Sequence, residues 1–423
     1  MTDAVTIPSL WEDSAAASLD AAHLLLYRSN LLGADLRVTN FGGGNTSAKI
    51  EMADPLTHEP VKVLWVKGSG GDLGSMKLDG FATLYLDKLE SLKGLYRGLD
   101  QEDEMVQNLN HCIFGLNPRP PSIDTCLHGY VPRIHVDHVH ADPVIAVAAS
   151  EDAEALTREI YGREMGFLPW QRPGIDLGIK LGRMAEDNPG YVGVVLGSHG
   201  LFTWADDAKS CYETTLRIIN KAALWLEANR KLPAFGGAGV AGLGHDERRV
   251  AALRLMPEIR ARVSKLVPKV GHFVDTPEVL EFVNSRTLAE LAPLGTSCPD
   301  HFLRTKIRPL IVPHDGDANT LDKRITDYRA DYKAYYERCR RPDSPAMRDA
   351  SPVIHLIPGV GLISFADGKA AARIAAEFYV NAINVMRGAS GVSRYQGLAE
   401  QEAFNIEYWL LEEAKLKRLP QAK

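Results

Sequence analysis

The 423-residue sequence predicts an α/β protein, a layered α/β/α domain on a central mixed sheet followed by a second half that is a degenerate copy of the first. Three observations predict this. Short β-type runs alternate with helical patterns through the first half. A glycine-rich stretch, FGGAGVAGLG from Phe235 to Gly244, then interrupts the alternation. Beyond it, Gly200–Asp206 (GLFTWAD) recurs as Gly361–Asp367 (GLISFAD) at an offset of 161, each segment entering a long apolar helix.

Taken in order, Ala15, Leu19, Ala22 and Leu26 recur at helical spacing and predict one opening helix over Ser14–Leu32, capped by Asp13 or Ser14. Leu36–Asn40, Thr46–Ile50 and Val61–Val66 read as strands, Gly80–Leu92 and Glu102–Phe114 as helices. Ile134–His140 reads as a strand running into Asp142-Pro143, a helix cap with proline at the first helical position. Tyr191–Leu196 is strand-like and Asp206–Ala228 is a long helix. In the second half, Ala370–Met386 repeats that apolar helix, Asn381 matches Asn220 at the same offset, and Val360 falls where the first half has His199. The expected boundaries are a catalytic domain over 1–235, a linker over 236–246, the degenerate copy over 247–400, and a C-terminal helix and tail over 401–423. Gly239, Gly242 and Gly244 imitate a dinucleotide loop, but the preceding NRKLPAF is no buried strand, so a linker is the better reading.

Composition narrows the function classes. Hydrophobic residues are 45% and charged residues 24%, a globular balance. A net charge of −6 without a basic run argues against nucleic acid as a partner. No apolar run reaches the roughly 18 residues of a membrane span. Cys112, Cys126, Cys211, Cys298 and Cys339 are odd in number and widely spaced, which fits a reducing cytoplasm better than a disulfide framework.

Chemistry concentrates in Arg133-Ile-His-Val-Asp-His-Val-His140. On a strand, His138 and His140 share a face, and paired imidazoles there can grip one metal ion. A catalytic zinc needs a third protein ligand, for which His199, at the end of the strand Val194–Leu196, is the best candidate. Asp124, in Pro121-Ser-Ile-Asp-Thr125, can serve as a general base, an additional ligand or simply a helix cap. Two glycine-rich turns can receive an anion: Phe41–Ser47, where Asn45 adds an amide donor, and Val66–Gly71, where Lys67 and Ser69 add a cation and a hydroxyl.

From Ala15 to Glu227 these motifs, in this order, resemble the class II aldolase/adducin family. Gly44-Asn45-Thr46-Ser47 is similar to its G-N-x-S turn, Gly68-Ser69-Gly70 to its second phosphate turn, His138-Val139-His140 to its zinc pair, and His199-Gly200-Leu201 to its H-G-L segment. Pro121–Asp124 stands where the family has P-S-S-E, with Ile123 replacing a serine and Asp124 a glutamate. The length and closing segment most resemble the aldolase portion of bifunctional rhamnulose-1-phosphate aldolase/alcohol dehydrogenases, and no strand, glycine-rich turn and helix unit remains here for NAD.

The resemblance implies a lyase that reversibly cleaves a ketose 1-phosphate to dihydroxyacetone phosphate and an aldehyde such as lactaldehyde. Zn2+, or another divalent metal, would be held by His138, His140 and His199 and would stabilise the enediolate. Asp124 would carry the proton, and Asn45, Ser69, Gly70, Ser122 and Lys67 would bind the phosphate. It further implies a homo-oligomer, with a dehydrogenase domain as an associated part. The competing expectations are an epimerase or decarboxylase on the same scaffold, or a non-catalytic binding module of the adducin type.

Overall fold

A computed structural model describes residues 5–409, apart from the side chains at positions 100 and 300. The chain divides into two compact units: one runs to Ala228 apart from Ala149–Glu151, and the other takes those three residues and begins again at Asn229.

The first unit is built on a seven-stranded mixed sheet. Its strands are β1 (Asn45–Ala53), β2 (Pro60–Lys67), β3 (Phe81–Tyr85), β4 (His135–Val139), β5 (Met165–Leu168), β6 (Gly193–Leu196) and β7 (Gly200–Ala205), in the order β3-β2-β1-β4-β7-β6-β5. The β5–β6 pair is parallel and the others antiparallel. The helices that concern the site are α1 (Ala21–Gly33), α2 (Thr125–Tyr130), α3 (Asp142–Ala148), α4 (Ile175–Asp187) and α5 (Ala208–Asn229).

Alternation along β4 sets the two layers, because successive side chains leave opposite faces. Val136 joins Leu127 and Val131 from α2 and its end, Leu177 and Leu181 from α4, and Phe202 and Trp204 from β7 in one apolar cluster. Asp137 points the other way, into a fully buried ion pair with Arg28 of α1 (2.9 Å), and also accepts from Thr215 Oγ1 of α5 at 3.0 Å. The same guanidinium donates to Ser47 O on β1 at 2.7 Å. One side chain therefore ties α1, β1 and β4 together.

Several local expectations are corrected. The opening helix is broken: Asp13–Ala16 is a separate turn, and α1 starts afresh after Asp20, whose carboxylate accepts from His23 N at 2.8 Å. Leu36–Asn40 is a turn held by Asp35, not a strand. Gly80–Leu92 is not one helix, since Phe81–Tyr85 pairs with β2 as β3 and the helix is confined to Leu86–Ser91. Ladder hydrogen bonds and burial on a sheet outweigh a weak helical spacing here. The expected helix over Glu102–Phe114 stops at Asn108 and continues as a 3-10 turn.

The second unit carries a four-stranded sheet of β8 (Val270–Val274), β9 (Leu310–Ile311), β10 (Ile354–Ile357) and β11 (Gly361–Ala366), in the order β8-β11-β10-β9. Pairing directions are antiparallel, antiparallel and parallel, as in β4-β7-β6-β5. The registers agree as well: Ala366 faces Val270 as Ala205 faces His135. The turn before β11 has Gly359 at φ +84, and the turn before β7 has Ser198 at φ +50, again 161 residues apart. The second unit therefore repeats the strand plan of β4–β7, and among its described residues there are no counterparts of β1–β3. Superposing the registers puts Phe273 at the place of His138, Asp275 at that of His140 and Val360 at that of His199.

The helices of this unit include α6 (His245–Val263), α7 (Pro277–Val283), α8 (Ala318–Cys339), α9 (Lys369–Val392) and α10 (Glu400–Glu407). The glycine-rich stretch expected to be a linker is packed: Gly239 N and Val240 N donate to Asn284 O, and Leu243 N donates to Gly359 O. It thus lies against the turn that corresponds to the His199 turn. The expected C-terminal tail lies outside the described residues from position 410 onward. Among the described residues, no helix is long and apolar enough to cross a membrane.

Candidate metal centre

His138 and His140 stand on one side of the end of β4, as their two-residue spacing requires, with their Nε2 atoms 3.0 Å apart. His199 comes from the turn between β6 and β7, where Ser198 at φ +50 reverses the chain and its N–H donates to Ala148 O at the end of α3. The three rings lie 4.7 to 5.4 Å apart, centroid to centroid. One ligand atom from each comes within 4.8 Å of the others, and all three residues are buried.

This donor set fits a divalent ion. Zinc–imidazole bonds of about 2.0–2.1 Å place tetrahedral ligand nitrogens roughly 3.3 Å apart, close to the separation of the two Nε2 atoms. His138 Nδ1 lies 3.0 Å from the carbonyl oxygen of Leu201, which commits that nitrogen to N–H and turns the Nε2 lone pair toward the cluster. Phe202 stacks on the same ring at 4.2 Å and fixes its plane. Burial, with the neighbouring His140 and His199, holds His138 well below the ordinary imidazole pKa, so the ring is in the neutral form that ligates. Gly200 is required by crowding, since a Cβ there would sit 2.8 Å from both His140 Cδ2 and Val139 O.

The phosphate-type turns sit at the same end of the sheet. In the β1–β4 ladder Asn45 is directly opposite His138, which sets the first turn beside the metal strand. Gly44 makes that approach possible: its φ is +69 and a Cβ would lie 2.7 Å from His138 O. Asn45 Nδ2 donates to Lys67 O at 3.2 Å and reaches Ser122 Oγ at 3.4 Å, so three predicted residues come together. Lys67 Nζ donates to Gly42 O at 3.4 Å, spanning the two turns. Ser69 and Gly70 follow in the second turn, with Ser69 N donating to Pro120 O and Gly70 at φ +84.

Asp124 is half-buried at the head of α2, where its backbone oxygen accepts from Leu127 and His128 and its side chain makes no capping bond. Its carboxylate is not part of the compact ligand group. Two neighbours of the site carry no sequence motif. Trp170, two residues beyond β5, meets the His199 ring edgewise at 6.4 Å. Arg119 lies along the second turn, where a Cβ on Gly68 would come within 2.4 Å of its Cγ.

The family model of the class II aldolase and adducin N-terminal domain matches residues 24–226, and that of the aldolase class II second domain matches residues 250–416. The chain is 34% identical to the Bacillus subtilis (strain 168) protein named uncharacterized oxidoreductase YuxG, over 98% of this chain. It spans 61% of that protein's length. Among solved structures, it is similar to the N-terminal class II aldolase domain of a conserved protein from Thermoplasma acidophilum, at 27% identity and TM-score 0.48, covering 52% of this chain and 100% of that one. L-fuculose-1-phosphate aldolase from Thermus thermophilus aligns at 13% identity and TM-score 0.32, covering 49% of this chain and 95% of that one.

Proposed function

The chain belongs to the class II aldolase and adducin family, and from that premise we propose that it is a metal-dependent aldolase. Its substrate in this reading is a ketose 1-phosphate of the rhamnulose-1-phosphate type, cleaved between C3 and C4 to dihydroxyacetone phosphate and an aldehyde such as lactaldehyde. The observation that carries the reading is the buried three-histidine group standing beside two glycine-rich turns at one end of one sheet. Neither feature alone would distinguish an aldolase, but together they supply a Lewis-acid site and an anion site at adjacent strand ends.

His138, His140 and His199 would hold a divalent cation such as zinc. When bound, that cation supplies stabilisation for the negative charge that the substrate oxygens gain as the carbon–carbon bond breaks. Asn45, Ser69 and the N–H groups around Gly44 and Gly70 bind the phosphate, with Ser122 as a further donor and Lys67 as the charge partner. Asp124 takes up and returns the proton at C3 of the dihydroxyacetone fragment. Ile123 contributes no hydroxyl where the family has a serine, so the cations Lys67 and Arg119 matter more for holding the phosphate in this chain.

The name and greater length of YuxG support a further reading, that the chain acts together with a dehydrogenase that consumes the aldehyde product. Five buried cysteines, none of them in a disulfide, support a reducing compartment such as the cytoplasm. The test is to supply rhamnulose 1-phosphate and, separately, ribulose 5-phosphate, and to follow dihydroxyacetone phosphate release and pentulose epimerisation. Release from the first is expected. Epimerisation of the second without cleavage of the first would replace the aldolase reading with the epimerase one, and inertness toward both would favour a binding module.

A further inference from the structure

We propose that Trp170 is the specificity-determining wall of the aldehyde subsite and that it selects an aldehyde with a short alkyl tail. The proposal rests on the aldolase reading and deepens it.

Sheet order carries the argument. Along one end of the sheet the strands run β2-β1-β4-β7-β6-β5. The two anion turns lie at β1 and β2, His138 and His140 at β4, His199 between β6 and β7, and Trp170 just past β5. Neighbouring strands are about 4.8 Å apart, so β1 and β5 are separated by roughly 19 Å, with the histidines between. A ketose 1-phosphate whose phosphate lies toward β1 and β2, and whose C2 and C3 oxygens lie at the histidines, directs C4 and beyond toward β6 and β5. The fragment released as aldehyde is the part on that side.

Trp170 is held where that fragment arrives. Its ring is half-buried and meets His199 at 6.4 Å with an interplanar angle of 61°. Its backbone is packed on the ligand turn, for a Cβ on Gly197 would lie 2.9 Å from Trp170 N and 3.3 Å from Phe167 Cζ. An aromatic pair, Trp170 and Phe167, therefore backs the His199 turn on the far side from the anion turns. The polar residue next along the chain is engaged elsewhere: Gln171 bonds Asp176 and accepts from Lys180 at 2.6 Å. An apolar wall of this kind favours a methyl group, and it leaves the extra hydroxyl of a polyhydroxylated aldehyde unmet.

The experiment uses the reverse reaction, in which C3 of dihydroxyacetone phosphate loses a proton, bonds the aldehyde carbon, and the aldehyde oxygen gains a proton. Condensation with lactaldehyde and with glycolaldehyde, which lacks the methyl, is measured for wild type, W170F and W170A, with metal content as a check of folding. Wild type should prefer lactaldehyde by about 10-fold or more in kcat/KM, the scale of one methyl in an apolar pocket. W170A should bring the ratio near one at unchanged KM for dihydroxyacetone phosphate, and W170F should keep most of it. Independently of turnover, Co2+ added to metal-free protein should quench tryptophan emission in wild type, and W170F should lose most of that quenching. An unchanged aldehyde ratio in W170A, or unchanged quenching in W170F, overturns the role of Trp170. A wild type that condenses neither aldehyde overturns the aldolase reading and this inference with it.

Discussion

In the proposed reaction the two residues with the clearest separable tasks are Asp124 and Gly200. Replacing Asp124 with Asn keeps its shape but removes its capacity to exchange a proton, so turnover should fall by roughly 10²- to 10⁴-fold while metal content stays at the wild-type level. Steady-state kinetics with metal analysis on the same sample checks both halves; a loss below about twofold, far short of a general base's contribution, would assign the proton to another group. Gly200→Ala acts through geometry alone, because its new Cβ would stand 2.8 Å from His140 Cδ2. Disturbing the support of a ligand typically weakens metal binding about 10- to 100-fold. A competition titration against a chelator should show that shift; an unchanged affinity would mean the His140 ring tolerates displacement. The grouping of His138 with His140 was legible at this scale because a period of two needs only a strand to place them together. Trp170 was not, because its approach to His199 depends on the parallel pairing of β5 with β6, which no local pattern announces.

At the scale of elements, the buried Arg28–Asp137 pair fixes the strand that bears His138 and leads to His140. Arg28→Met leaves the Asp137 carboxylate buried without its partner, and losing one member of such a pair costs about 3–5 kcal/mol. Denaturant unfolding should show a loss of that size and a partial recovery in the double variant R28M/D137L, since the second change removes the stranded charge. In β10 of the second unit, burial pushes the His355 imidazole down to about 4 from an ordinary value of 6.5. Its neutral burial therefore contributes full stability above pH 6.5 and loses about 3 kcal/mol as pH falls to 4, because the unfolded chain takes up the proton first. His355→Val, the residue found at the corresponding Val194, should remove that part of the acid sensitivity. Comparing the unfolding free energies of the two proteins at pH 7 and pH 5 measures it, and parallel pH profiles would contradict it. The elements misread from sequence share a cause. Phe81–Tyr85 continues into a helix at a spacing that looks helical throughout, while β5 and β8 are short strands interrupted by Gly166 and Gly271, so only long-range pairing defines them.

For the whole molecule, one strand plan occurs twice, and among the described residues only its first copy carries the three-histidine group. A single matched segment, Gly200–Asp206 with Gly361–Asp367, was legible, and it pointed to Val360 in place of His199. The sheet registers extend the replacement to all three histidines, because Phe273 and Asp275 take the places of His138 and His140, and Asp275 is already paired with Arg248 at 3.0 Å. The packed glycine-rich segment, read from sequence as a linker, occupies the turn region of that vestigial site. Such a unit has no ligand set for a second ion among its described residues. The central claim is that the protein holds one catalytic metal, in the first unit, on His138, His140 and His199. Elemental analysis of the purified chain and of its His199→Ala variant tests that claim most directly. One divalent metal per chain in the wild type and almost none in the variant is the predicted result; two per chain, or full occupancy retained without His199, would contradict it.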